Sequence, residues 1–135
     1  MTDFAYPDAE AALYDILSRE GSPAHPTLIL QVDDYGVLAG PFPIAHIITL
    51  PTGRESYIDR TDDIQVDVYT QGEFARPAAE DVRRFVCGEQ IETSYGFIDE
   101  VSTTSMPSNR DSFYDRIHKA SMTLKVVSRP LETFA

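Results

Sequence analysis

Apolar positions near the start of the chain recur at helical spacing: Ala9, Ala12, Leu13, Ile16 and Leu17 share one face of a 3.6-residue period. Asp8 stands as N-cap, Glu10 sits with the helix dipole, and Gly21-Ser22-Pro23 stops the pattern. A helix is therefore predicted over residues 8–19. Thr27-Leu28-Ile29-Leu30-Gln31-Val32 then predicts a short buried strand between Pro26 and Asp33-Asp34. Residues 33–41 read as a loop, because Pro41-Phe42-Pro43 suits neither a helix nor a central strand. The β-branched run over 44–50, closed by Pro51-Thr52-Gly53, predicts a strand. A second strand over 64–70 alternates Ile64, Val66 and Val68 with Gln65, Asp67 and Tyr69, so one face is dry and the other wet. The polar stretch 54–63 between them predicts a long hairpin arm with paired ends and a mobile tip.

Residues 77–87 predict a second helix, with Ala78, Val82, Phe85 and Val86 as its apolar stripe. Pro77 fits the first turn, Glu80 and Asp81 lie toward the start, Arg83 and Arg84 toward the end, and Gly88 offers a left-handed stop. Residues 93–104 read as a strand interrupted at Gly96 by a bulge or close approach. A polar loop is expected over 106–111. Ala120, Met122, Leu124 and Val126 then alternate with Ser121, Thr123, Lys125 and Val127 in a last strand. The fold class that follows is α+β: a mostly antiparallel sheet of about four or five strands, two helices on one face, and a long arm. One domain is expected over residues 1–135, since a chain of 135 residues buries enough surface for one core.

Net charge sharpens this picture. Eleven Lys and Arg face twenty-two Asp and Glu, for a net charge of −11. Gripping nucleic acid or an anionic membrane rests on clustered cations, so neither is expected. The longest apolar run, over 44–50, is too short to span a bilayer. Met1-Thr2-Asp3-Phe4 has no signal-peptide pattern. Cys87 stands alone, which excludes an internal disulfide, and folding in a reducing cytoplasm is expected.

Candidate chemistry is sparse. No phosphate loop, nucleophile elbow or H-E-x-x-H motif is present. His25, His46 and His118 are far apart and lack metal-ligand spacing. The acidic doublets Asp33-Asp34, Asp62-Asp63, Glu80-Asp81 and Asp99-Glu100 read as solvated charge, because neighbours on a strand point to opposite faces. Cys87 reads as a small hydrophobe and His46 as a hydrogen-bonded structural residue. No catalytic residue, cofactor or metal is assigned, and an enzyme is not expected. Tyr57, Tyr69, Tyr95 and Tyr114 lie on or beside the polar sides of predicted strands, and tyrosine is enriched at interfaces.

From the second strand onward the pattern resembles the tail terminator proteins of long-tailed bacteriophages, also called tail-completion or minor tail proteins. The pieces that carry the resemblance are the strand and turn over 44–53, Ile64-Gln65-Val66-Asp67-Val68-Tyr69 behind Asp59-Arg60, the helix over 78–86, Gly96-Phe97-Ile98-Asp99-Glu100-Val101, Arg116, and 124–130 ending in Arg129-Pro130. They cover residues 42–130. Pro51-Thr52-Gly53 departs from the commoner glycine-rich turn, and residues 23–41 have no counterpart.

The resemblance implies a structural virion protein of the tail or neck, assembled in the host cytoplasm. It would form a homohexameric ring that caps the tail-tube protein, stops polymerisation and offers a joining surface to the head-tail connector or head-closure protein. DNA would pass through the lumen without specific binding, which suits the acidic charge. The expected contact elements are the arm 54–63 and the loop 106–111, with Arg54, Tyr57, Arg60, Tyr69 and Arg110 as interface residues. Other readings stay open: another neck component, a small hydrolase or isomerase using His46 or His118, or a cytoplasmic ligand-binding module.

Overall fold

The computed structural model describes residues 6–55, 59–114 and 116–130. Helix α1 spans Ala9–Leu17, where Asp8 Oδ1 accepts the Ala11 amide at 3.2 Å and caps the first turn. Seven strands follow among the described residues: β1 His25–Thr27, β2 Ile44–Thr49, β3 Arg54–Glu55, β4 Arg60–Gln71, β5 Gly88–Thr93, β6 Gly96–Arg110 and β7 Ile117–Ser128. Helix α2, Ala75–Val86, lies between β4 and β5. The strands make one sheet in the order β1-β2-β4-β7-β6-β5, with β3 added on β4. β1 runs parallel to β2 and every other pairing is antiparallel, so the sheet is larger than expected and mixed.

The register puts the dry residues on one face. Ile64, Val66 and Val68 of β4 stand opposite Leu124, Met122 and Ala120 of β7, and Val66 and Val68 stand opposite Ile47 and Ala45 of β2. Leu13, Ile16 and Leu17 of α1 and Ala79, Val82 and Val86 of α2 close over them in a single cluster. Both helices therefore cover one face, as the alternation predicts. At one end of the opposite face a smaller cluster buries Leu38, Ile44, Tyr69 and Ile117, with Leu30, Phe42 and Tyr114 against them.

Several expectations need correction. No strand runs over 27–32: Thr27 Oγ1 takes the Ile29 amide at 3.2 Å and turns the chain, leaving Leu28 and Ile29 exposed. Residues 31–39 instead fold back on themselves. Val32 bridges Leu38, and Asp33 Oδ1 accepts the Tyr35 and Val37 amides at 2.8 and 3.0 Å. The segment 106–110 is no loop but the end of β6. Pro107 falls in a register shift between Ser105 and Ser108, where its missing donor breaks no ladder bond.

Most of the arm is strand, since Arg54 and Glu55 pair with Thr61 and Arg60. Its expected tip, 56–58, lies outside the described residues. Helix α2 begins two residues before Pro77, so Glu80 and Asp81 fall past its first turn and pair instead with Arg83 and Arg84 at 3.0 and 3.5 Å. Gly88 is not a left-handed stop: Cys87 is already extended and the chain passes straight into β5. Gly96 makes the turn from β5 to β6 at φ +136°, because Thr93 pairs with Gly96 and only Ser94-Tyr95 separate them.

Candidate functional site

The expected contact residues fall at opposite ends of the sheet. Arg54 and Arg60 stand at the base of the arm. Arg60 Nε reaches Asp62 Oδ1 at 3.1 Å, and its guanidinium lies 4.0 Å from Glu55. Asp62 is 5% exposed on the helix-covered face, beside Glu10, whose Oε1 accepts the Thr49 amide and hydroxyl at 3.2 and 2.6 Å. A cleft of about 340 Å³ separates these groups, lined also by Asp8 and Tyr6. Arg110 ends β6 at the other end of the sheet, exposed and opposite Lys119. Tyr57 lies outside the described residues.

Tyr69 is 5% exposed and packs edge-on against Tyr114 with centroids 6.2 Å apart. Burial, then the Asp67 carboxylate and Tyr114, push its phenol up to about 12. The structure thus gives Tyr69 a packing role beneath the 31–39 hairpin. These positions do not form one patch.

Two features beyond the expected residues organise the helix-free face. The first is a polar network around Asp67, 3% exposed. Its Oδ1 accepts from Gln65 Nε2 at 2.9 Å and Ser121 Oγ at 2.6 Å, while Lys119 Nζ lies 3.6 Å from Oδ2. Lys119 also stands 5.9 Å over the Tyr69 ring. The alternation marked Asp67 as wet, yet its burial comes from three side chains brought by β4 and β7. Farther down the same face Lys125 stands opposite Asp63 in register. Each lysine of this face therefore has a carboxylate as a near neighbour.

The second is the hairpin 31–39. Val32 and Val37 are half exposed, and Tyr35 is 92% exposed. Phe113, 95% exposed, stacks edge-on with Tyr114, which joins the same small cluster as Leu38. Phe74, 70% exposed, leans on His118 at the same end, with centroids 5.1 Å apart. The available signal for the hairpin was Asp33-Asp34-Tyr35-Gly36 between two valines, a turn sequence with an Asx acceptor and a glycine. Gly36 adopts φ +74° there.

The other candidate chemistry finds structural partners. His46 Nε2 lies 3.2 Å from the Leu28 carbonyl, and Cys87 Sγ is 3.5 Å from Thr103 Oγ1. Among the described residues no group of three or more His, Cys, Asp or Glu is placed to hold a metal, and no helix is long and apolar enough to cross a membrane. A pocket of about 130 Å³ beneath the hairpin, lined by Leu30, Pro41 and Ile44, is smaller than small-molecule sites usually are.

Among solved structures, the chain matches one in the virion of a native gene transfer agent particle. It shares that fold. The TM-score is 0.58 at 15% identity, and the match covers 90% of this chain and 94% of that one. Neither a family model nor a curated protein matches the sequence.

Proposed function

We propose that this protein is a structural component of a phage-type virion and, more specifically, a tail terminator. The observation that carries the reading is the match of nearly the whole chain to one from a gene transfer agent virion. The geometry supports it. Two helices cover one face of the sheet, and below the hairpin the other face is polar, with Lys119 paired to Asp67 and Lys125 across from Asp63 in register. Copies closing into a homohexameric ring with helices outward would line the lumen with that face. A lysine already paired with a carboxylate, as Lys119 is with Asp67, offers DNA little free charge, so DNA would slide rather than bind.

Ring closure needs two different complementary edges on one subunit. β6 supplies one: β5 pairs only with its residues 96–101, leaving one side of 102–110 without a partner strand among the described residues. Pro26 in β1 guards the far edge. The ring would cap the tail tube, stop its growth and meet the head-tail connector or head-closure protein on its other side. It would act through shape, without catalysis or cofactor, as part of the virion.

Light scattering of the protein alone and with tail-tube protein tests the reading. A closed ring, or a monomer that becomes a ring on tube ends and limits their length, is expected. A monomer indifferent to tubes would overturn it and point to the connector side.

A further inference from the structure

Resting on the terminator reading, we infer that the cleft floored by Asp62 is a socket for a basic side chain, supplied by the Arg76 and Arg110 corner of a neighbouring copy in the ring. Asp62 is 5% exposed, and its Oδ1 is engaged by Arg60. Its Oδ2 is buried without a hydrogen-bond donor among the described residues, although the side chain lines a cleft of about 340 Å³. A buried carboxylate oxygen left in that state is costly, so a donor from outside is called for.

Charge narrows the donor. Asp8, Glu10 and Asp62 line the cleft, with Arg60 the one cation among the lining residues. The adjoining cleft adds Glu55 and Arg54, so carboxylates still outnumber guanidiniums by four to two. Asp8 and Glu10 accept from neutral donors, the Ala11 amide and the Thr49 amide and hydroxyl, which leave their charge in place. Arg19 and Arg129, at the same end of the sheet, are already held by Asp15 and Asp99. Water would satisfy Oδ2 but not the charge, and no group of three ligands is placed for a metal among the described residues. A guanidinium answers both needs.

The same chain carries the complement. Arg76 and Arg110 are exposed, and among the described residues neither pairs with a carboxylate, not even with nearby Glu73 or Asp111. They share one corner, because Asn109 Oδ1 accepts the Arg76 amide at 3.1 Å. Arg76 stands in the first turn of α2, where the helix dipole disfavours a cation and an incoming carboxylate relieves it. Arg110 stands opposite Lys119, a like charge, in register. This corner ends the side of β6 that lacks a partner strand, while the socket lies at the other end of the sheet, under the start of α1. One subunit therefore presents plug and socket at separate places, the head-to-tail arrangement that a closed ring repeats.

The test uses two variants of the full chain, each checked for fold by circular dichroism. Asp62→Asn removes the charge of the socket, and Arg76→Ala with Arg110→Ala removes the plug. Lys125→Ala, an exposed cation on the helix-free face, controls for the loss of any positive charge. Light scattering reads self-association; where wild type assembles only on tail tubes, co-sedimentation reads the same comparison there. Each variant alone is expected to associate about tenfold or more weakly than wild type, and the control as wild type does. Mixed in solution, the two variants retain one intact socket and one intact plug, so they are expected to form pairs that grow no further. Undiminished assembly of either variant, an equal loss in the control, or a mixture that forms no pairs although wild type self-associates in solution would each overturn the inference. If Asp62→Asn does not fold, the arginine variant decides. Wild type that forms rings but ignores tubes would overturn the terminator reading alone, and wild type monomeric both in solution and on tubes would overturn both.

Discussion

Gly53 sits where the chain leaves β2, passes over the backbone of β4 and enters β3. A Cβ built there would lie 2.6 Å from the Thr61 carbonyl oxygen, a backbone atom that cannot swing aside. Ordinary contact begins near 3.4 Å, so Gly53→Ala requires β3 to retreat by roughly 0.8 Å. Overpacking of this kind costs about 1–3 kcal/mol. Alternatively the two β3 pairings open, which loses hydrogen bonds worth about 1 kcal/mol net each. Alanine returns about 0.4–1 kcal/mol by stiffening the unfolded chain. The net expectation is a loss of about 1–2 kcal/mol.

With a urea slope of about 2 kcal/mol/M, the unfolding midpoint falls by about 0.5–1 M at unchanged slope. Hydrogen exchange should show lost protection at Arg54 and Thr61 and little change in β6 and β7. Gly21→Ala is the control: it has open space around it, and only its φ of +86° penalises a side chain. It should lose a similar amount of stability while leaving arm protection intact. If Gly53→Ala keeps both the midpoint and the arm's protection, the close approach of β3 to β4 is wrong.

Four further outcomes follow from the geometry. Asp67→Ala leaves Lys119, Ser121 and Gln65 without their shared acceptor, and a loss of about 3 kcal/mol in urea unfolding is expected; an unchanged midpoint would refute the buried network. Asn109→Ala removes the side-chain oxygen that accepts the Arg76 amide at 3.1 Å and caps α2 from β6, at about 1 kcal/mol, readable as a fall in thermal midpoint with the fold retained.

The Tyr69 phenol, raised to about 12 when folded, ionises late in an absorbance titration at alkaline pH, and Tyr69→Phe removes that late step. Since the folded value is the higher one, its contribution is complete below the ordinary tyrosine value near 10 and is lost as pH rises toward 12. The opposite sign holds for Asp15. The Ser94 amide keeps its carboxyl below the usual range, so that contribution is present at neutral pH and fades as acid protonates it.

Periodicity by itself determined both helices, the three long central stretches of strand and the placing of both helices on one sheet face. These depend on which residues must leave water, and alternation records that directly. Scattered glycines and a net charge of −11 likewise bounded the chemistry, since they build neither a phosphate-binding loop nor a cationic groove. What failed were places where a side chain or a neighbouring strand overrides local preference. Thr27 diverts the chain and ends a predicted strand, and a bulge lets Pro107 sit within β6.

The candidate surface was the least legible. Tyr69 alternates onto the wet face, yet a hairpin from residues 31–39, distant in sequence, folds over it and buries it. That covering moves the exposed aromatic character to Tyr35 and Phe113, on two loops whose nearness depends on β7 lying beside β4. Which polar face is open and which aromatic is exposed are properties of tertiary packing, because each is set by long-range pairing.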